Sequence, residues 1–352
     1  MFSPKPEVNT LTHSKPTDFA YMLSKFLTSY ITGQRNLSSN TVLSYRDTFK
    51  TLLNYLKDEK HLSPERVVIS DLDRAVIINF INWMKHSRGN SESTCNQRLG
   101  AIHAFFQFVQ YEMPEKLQQC QEVAGIRMMK APETVISYLS IDGVRAVLSM
   151  PDTSTKSGRR DATMLSLLYD TGARVQELAD LTVGDVRFVS PATVKLTGKG
   201  RKARIIPLLH GTENLLQAYM RDIPQQLVAD NTRPLFCNRE QQKFTRGGVT
   251  YILKKYAEMV RGSNPGLIPA KLSPHCFRHS KAMHLLQADV NLIYIRDLLG
   301  HTNIKTTEIY ARADNSAKRQ ALEKANPLKN AVQFPSWTED DGLMEWLQNF
   351  GK

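Results

Sequence analysis

From Thr17 or Asp18 onward, apolar positions fall three and four residues apart: Phe19, Met22, Leu23, Phe26, Leu27, Tyr30 and Ile31, with Gly33 closing the run. That spacing lines one face of an α-helix and predicts the first of a series. Ser38 or Ser39 can cap a second helix, whose apolar face is Val42, Tyr45, Phe49, Leu52, Leu53 and Leu56. Asp71 or a neighbour opens a third through Val76, Ile77, Phe80, Ile81, Trp83 and Met84. Ser91 or Ser93 opens a fourth through Leu99, Ile102, Phe105, Phe106, Val109 and Tyr111. Four amphipathic helices of this length predict a small all-α domain over residues 17–113. The Pro-, Ser- and Thr-rich stretch before it, residues 1–16, reads as a flexible arm.

The pattern weakens after Pro114, and residues 114–136 read as an extended, basic linker. Ser140 then caps a helix carrying Val144, Val147 and Leu148; PDTSTKSGRR reads as an exposed loop; and Asp161 to Tyr169 forms an apolar helix. Gly172 permits a tight turn, after which Arg174 begins a helix that buries Val175, Leu178 and Leu181, with Glu177 on the same face as Arg174. Residues Thr193 to Leu208 alternate, turn at Gly198 and Gly200, and give a β-branched run, which predicts a β-hairpin with Lys199 at its tip. Further helices follow at Leu215–Met220 and Val249–Val260, then a loop, then KLSPHCFRHSKAMHLLQADVNLIYIRDLLGHTNIKTTEIYAR over Lys271 to Arg312. The expected fold is mainly α, with a small β-sheet confined to a mixed α/β domain over residues 137–322. Residues 323–352 form a tail in which Thr338 and Asp341 resemble a capping box before Leu343, Met344, Trp346, Leu347 and Phe350. A helix so short needs a surface to dock on, either its own domain or a neighbouring protomer.

Composition adds a partner. The chain of 352 residues holds 46 Lys and Arg against 34 Asp and Glu, a formal charge of +12. Basic residues are spread along its length, so a polyanion is the expected ligand and nucleic acid the commonest one. No run of 18 apolar residues occurs and MFSPKPEVNT lacks an apolar signal core, so a soluble, cytoplasmic protein with no membrane partner is expected. Cys95, Cys120, Cys237 and Cys276 are scattered without a CxxC, which argues against a zinc site or a disulfide framework.

The candidate chemistry lies in Arg174, Lys199, His275, Arg278, His301 and Tyr310. Taken singly, each admits an ordinary role as a cap, a solvated charge or a packed ring. Together they suit a phosphodiester. Two guanidiniums grip the non-bridging oxygens, a tyrosine attacks phosphorus, a lysine protonates the departing oxygen and a histidine takes the tyrosine proton. No paired carboxylates at metal-site spacing accompany them, so neither a metal nor another cofactor is expected. Arg201, Lys202 and Arg204 in the hairpin, and Arg46, Lys50 and Arg98 on the helical domain, are candidate DNA contacts.

With these residues in place, the chain resembles the tyrosine recombinases of the phage integrase family. The resemblance rests on TGARVQEL around Arg174, LTGKGRKARIIPL around Lys199, LSPHCFRHSKAMHLL around His275 and Arg278, and LLGHTNIKTTEIYAR carrying His301 and Tyr310. With the helical half, which is similar to the family's core-binding domain, it covers roughly residues 18 to 322. The resemblance implies that Tyr310 is the nucleophile of a 3′-phosphotyrosyl intermediate and Lys199 the general acid. Arg174 and Arg278 then hold the phosphate, His275 assists proton transfer at Tyr310, His301 hydrogen-bonds a phosphate oxygen and Glu177 supports the site. Cys276-Phe277 and Ala288 depart from the family pattern away from these positions. The implied function is site-specific recombination of double-stranded DNA by a tetramer on two sites through a Holliday junction, with accessory proteins as further partners. A type IB topoisomerase or telomere resolvase would share the chemistry, and a sequence-specific DNA-binding protein without catalysis would share the charge.

Overall fold

The computed structural model describes residues 15–35, 37–132, 136–198, 200 and 202–313. The arm up to residue 14, the tail from residue 314, Lys199 and Arg201 lie outside the described residues. The chain divides into two compact units, Met1–Glu133 and Thr134–Lys352.

In the first unit, α1 (Asp18–Lys25) is capped by the Thr17 hydroxyl and runs on as a π-helical stretch, Phe26–Gln34. It is followed by α2 (Ser39–Lys60), α3 (Arg74–His86), α4 (Glu92–Glu112) and α5 (Leu117–Ala124). Ser38, Asp73 and Ser91 cap α2, α3 and α4 by accepting backbone N–H donors in the first turn. The cap of α3 is thus Asp73; Asp71 instead accepts the Val68 N–H at 2.9 Å in the turn before it. The predicted faces do converge. Phe105 on α4 meets Phe49 on α2 with ring centroids 5.1 Å apart, Phe26 at 5.4 Å and Phe19 on α1 at 5.8 Å, mostly edge to face. Such tilted pairs add about 0.5–1.5 kcal/mol each to the burial of the rings themselves.

The expected extended linker over residues 114–136 begins differently. Its first part is α5, which packs on α3 and α4 and buries Cys120 and Val123 in the helical core. Only two apolar residues of LQQCQEVA point inward, too few to register as an amphipathic period in the sequence.

The second unit comprises α6 (Ile141–Ser149), α7 (Lys156–Asp170), α8 (Val175–Ala179), β1 (Val186–Arg187), β2 (Thr193–Thr197), β3 (Ala203–Pro207), α9 (His210–Arg221), α10 (Gln225–Val228), α11 (Arg246–Ser263), α12 (Pro274–Gln287), α13 (Leu292–Leu299) and α14 (Lys305–Ala313). The strands form one antiparallel sheet in the order β1-β2-β3, with Lys195 opposite Ile205 and Thr197 opposite Ala203. The hairpin was expected; the two-residue β1 was not, being too short to carry an alternation. α7 starts five residues earlier than its apolar run, inside the expected loop, because Thr155 caps it at Gly158 N–H. Gly158 is needed there, since a Cβ would lie 1.8 Å from the Asp152 carbonyl oxygen.

α7 is the spine of this unit and is buried along most of its length, with α9, α11 and α12 packed on it. All four cysteines are buried and free. No helix among the described residues is long and apolar enough to cross a membrane.

Phe105 lies at the centre of the helical core and is fully buried. Phe105→Ala should destabilise the first unit by about 3–5 kcal/mol, the range for truncating a buried aromatic side chain. Urea unfolding followed by circular dichroism reads this, and a loss below about 1 kcal/mol would contradict the packing described.

Candidate active site

The site begins where α7 ends. Gly172 turns the chain with φ of +55°, and a Cβ there would stand 2.7 Å from Leu299 Cδ2, so glycine is required twice over. The turn delivers Arg174 as the N-cap of α8. Its backbone N–H donates to Glu177 Oε2 at 2.9 Å, and its Nη1 donates to Glu177 Oε1 at 2.7 Å. Arg204, on β3, donates through Nη2 to Glu177 Oε2 at 2.7 Å. One buried carboxylate thus spans two guanidiniums and a backbone amide.

A second anchor is the C-terminus of α13, where backbone carbonyls have no partner within the helix and carry the negative end of its dipole. Gly300 ends the helix in the left-handed conformation, φ +64°. Leu298, Leu299 and Gly300 then each offer a carbonyl oxygen to an arginine. Arg204 Nε donates to Leu298 at 2.7 Å, Arg278 Nη2 to Leu299 at 2.6 Å, and Arg174 Nη2 to Gly300 at 3.3 Å. Arg278, buried on α12, also donates through Nη1 to the Gly172 carbonyl at 2.5 Å. A cleft of about 440 Å³ opens beside this group, lined by Arg174, Lys202, Arg204, Gly300 and His301. A larger hollow of about 830 Å³ around Met220, Ile223 and Val228 contains none of the candidate residues.

Tyr310 on α14 is only 1% exposed and packs with Ala282, Met283, Ile295 and Leu299 in a small apolar cluster between α12, α13 and α14. Its hydroxyl lies 3.0 Å from His279 Nδ1, and its ring stacks nearly parallel to that of His301, with centroids 6.5 Å apart. His301 Nδ1 lies 2.9 Å from Thr307 Oγ1, which fixes the ring. Arg174, Arg278, His301 and Tyr310 are therefore brought together with Glu177. His275 is exposed at the start of α12, its ring centroid 6.4 Å from that of His279. Lys199 lies outside the described residues.

The sequence reading missed His279 and Thr307. His279 follows Arg278 directly and sits one helical turn beyond His275, so the i, i+4 spacing was visible; the paired arginine and the first histidine drew the reading instead.

Charge and burial set the proton affinities. Burial alone would raise the Glu177 carboxyl, but hydrogen bonds from Arg204, the Arg174 backbone and the Arg174 side chain win and hold it at about 2. Arg278 is lowered to about 10, first by burial and then by Arg174, and stays cationic. His279 falls to about 4 through burial and then through His275 and Arg278. His301 also falls to about 4, again through burial first, with Arg278, Arg174 and Arg204 adding to it. Both rings are neutral near pH 7. Burial holds the Tyr310 hydroxyl above the ordinary phenol range against the opposing pull of Arg278 and Arg174. The result is a fixed cationic seat beside neutral imidazoles and a shielded phenol, which suits an anionic diester and a phenolic nucleophile.

Comparison with known proteins decides the family. The phage integrase family pattern matches residues 137–317, and that of the phage integrase N-terminal SAM-like domain matches residues 24–112. The chain belongs to the phage integrase family. It is a tyrosine recombinase, a DNA breaking-rejoining enzyme. A Sinorhizobium fredii protein carrying an integrase/recombinase name is 32% identical over 96% of this chain and 99% of its own. The tyrosine recombinase XerD of Staphylococcus epidermidis is 32% identical over 85% of this chain and 96% of its own. The Tn1549 transposon integrase, solved in complex with transposon right-end DNA, shares the fold: TM-score 0.65 at 18% identity, covering 85% of this chain and 98% of that one.

Among the remaining candidates, the recombinase uses Arg98 inside its helical unit: Nη1 donates to the Ser44 carbonyl at 2.8 Å and Thr48 Oγ1 at 3.1 Å, tying α4 to α2. Arg46 is exposed and paired with Asp47 at 2.9 Å, and Lys50 and Lys202 are exposed. Arg204 stands apart from these surface cations, since its guanidinium is occupied by Glu177 and Leu298. Arg201 lies outside the described residues. Among the described residues no group of three or more His, Cys, Asp or Glu could hold a metal ion.

Glu177→Gln removes the charge that faces Arg174 and Arg204. A carboxylate whose folded pKa is depressed stabilises the fold fully above its unfolded value, near 4.5, and loses that contribution as pH falls toward about 2. The stability difference between the recombinase and Glu177→Gln should therefore be largest above pH 5 and shrink below it. Urea midpoints measured from pH 7 to pH 3 check this; a constant difference would place the cost elsewhere.

Proposed function

We infer that this recombinase binds double-stranded DNA at specific sites and exchanges strands through a 3′-phosphotyrosyl intermediate and a Holliday junction. The observation that carries the reading is the convergence of Arg174, Arg278, His301 and Tyr310 on one spot, from α8, α12, the loop after α13, and α14. In this reading Arg174 and Arg278 hold the non-bridging oxygens of the scissile phosphate, and Glu177 keeps Arg174 in place. His301 donates to a phosphate oxygen. Tyr310 attacks phosphorus, Lys199 protonates the departing 5′-oxygen, and His275 assists the departure of the tyrosine proton. The phosphotyrosyl ester conserves the energy of the broken bond, so the proposed reaction needs no nucleotide and no metal.

Arg46, Lys50, Arg201 and Lys202 are proposed to contact the DNA backbone, where charge neutralisation supplies most of the affinity. Strand exchange between two sites is proposed to use four protomers, with residues 323–352 docking on a neighbouring copy and accessory proteins as possible further partners. That tail, from Pro327 on, holds two lysines against four acidic residues, which suits protein contact better than DNA contact. A cytoplasmic protein, associated with the nucleoid when bound to DNA, fits these roles.

A nicked suicide duplex carrying the binding site, selected from random-sequence DNA with Tyr310→Phe protein, tests the chemistry. The recombinase should form a covalent protein–DNA adduct, and Tyr310→Phe should form none while still binding the duplex. Binding without any adduct from the unaltered protein would favour a non-catalytic DNA-binding protein.

The role given to Lys199 has its own test. Lys199→Ala should form adduct about 10²–10⁴-fold more slowly on ordinary DNA, the span of general acid catalysis. It should recover on a 5′-bridging phosphorothiolate, whose sulfur leaves without a proton. Failure to recover would make the lysine a phosphate contact.

A further inference from the structure

Among the described residues the Tyr310 hydroxyl meets one hydrogen-bond partner, and it belongs to neither arginine. His279 Nδ1 lies 3.0 Å away, at hydrogen-bond distance, and the two rings stand 5.6 Å apart and tilted by 58°. A buried hydroxyl hydrogen requires an acceptor. Nδ1 fills that need when the ring carries its proton on Nε2. His275 is exposed one helical turn earlier and does not touch the phenol.

We propose that His279 is a catalytic residue of this recombinase, the group that takes the Tyr310 proton as the phenolic oxygen attacks phosphorus. The inference rests on the strand-exchange reading above. The step balances: the Oη–P bond forms and the P–O5′ bond breaks with its electron pair going to O5′. The phenolic proton passes from Oη to the Nδ1 lone pair, leaving an imidazolium. Lys199, in the reading above, protonates O5′. The reverse sequence returns the proton to Tyr310 on rejoining.

The surroundings explain how a weakly basic ring can serve. The charged and titratable groups facing His279 are His275 and Arg278 from its own helix, Tyr310 from α14 and His301 from the loop after α13. In the unloaded site burial, and after it His275 and Arg278, hold its proton affinity down, which keeps Nδ1 free to accept. A phosphodiester seated on Arg174 and Arg278 cancels part of that positive field and favours the imidazolium when it is needed. His275, exposed and next in line, can then assist the proton's exit to solvent. The hydrogen bond also orients the phenol, because α14 can place Oη against Nδ1 only while the apolar cluster around Tyr310 stays packed.

The experiment uses the full chain and the suicide duplex described above, with adduct formation measured at saturating DNA. His279→Ala should slow adduct formation by about 10²–10³-fold with duplex affinity unchanged. His279→Asn places an amide oxygen near the position of Nδ1 and so keeps an acceptor without a proton affinity; it should be slowed to a similar degree. Replacing Tyr310 by 3,5-difluorotyrosine, a more acidic phenol, should restore the rate of His279→Ala to within about tenfold of the parent, because less basic help is then required. Melting curves establish that each variant is folded, and His279→Asn carries the test if His279→Ala is not.

Three results would overturn the proposal. Unchanged or faster adduct formation in His279→Ala removes the residue from the reaction. A His279→Asn variant as fast as the parent reduces the histidine to orienting the phenol. A difluorotyrosine that fails to rescue points to lost structure. If the unaltered protein forms no adduct at all, the strand-exchange reading itself fails and takes this step with it.

Discussion

Three arginines, from α8, β3 and α12, converge on a site whose negative partners are one buried carboxylate and the end of one short helix. Glu177 and the last carbonyls around the end of α13 between them satisfy donors of Arg174, Arg204 and Arg278. Cations drawn out of water repel one another and lose hydration, so they stay together only where hydrogen bonds and opposing charge meet both costs. The fold supplies that by bringing the end of α13 against the turn after α7 and against β3. The glycine at 300 follows from it, because a Cβ there would stand 2.8 Å from Arg204 Nη1. One carboxylate does not neutralise three guanidiniums, and the positive excess suits the cleft beside them to an anion.

The sequence made the candidate residues legible because the proposed chemistry needs particular side chains, displayed in motifs that are short and ordered; of these, Arg174, Arg278, His301 and Tyr310 come together in the fold. It made the helical half legible for a different reason: Phe19, Phe26, Phe49 and Phe105 sit at helical spacing and pack on one another. Where the reading went astray, the physical signal was local and small. α5 buries only Cys120 and Val123, α7 gains its first turn from a threonine cap, and β1 is two residues long. Arg204 is the more instructive case. A hairpin dense in Lys and Arg reads as a set of phosphate contacts, yet one of those arginines is spent inside the protein, joining Glu177 to the α13 carbonyl. Composition cannot separate a cation that faces DNA from one that holds up another cation; a distance can.

His279 shows the same limit from the other side. Its helical position, one turn past His275 and next to Arg278, was readable, and nothing about that position said that its Nδ1 would meet Tyr310. That meeting depends on the tertiary arrangement of α12 against α14, which the apolar cluster of Ala282, Met283, Ile295, Leu299 and Tyr310 creates. Tyr310, the proposed nucleophile, is thus also a core residue: its ring packs, and only its oxygen is polar.

This double role bears on how the site behaves before DNA arrives. A phenol held out of water is harder to ionise, and burial outweighs the two arginines in setting its proton affinity. The Tyr310 phenol therefore stays protonated, beside two histidines that are neutral chiefly for the same reason. Burial is the larger cause at both rings; Arg278 adds to it at each, and Arg174 adds to it at His301. An anion placed beside Arg278 and Arg174 would offset only that smaller part, raising the proton affinity of the imidazoles and, because the same arginines pull the phenol down, that of Tyr310 as well. Burial and the arginine field thus act together on the imidazoles and against each other on the phenol, so a charge bound in the cleft would shift all three groups in the same direction.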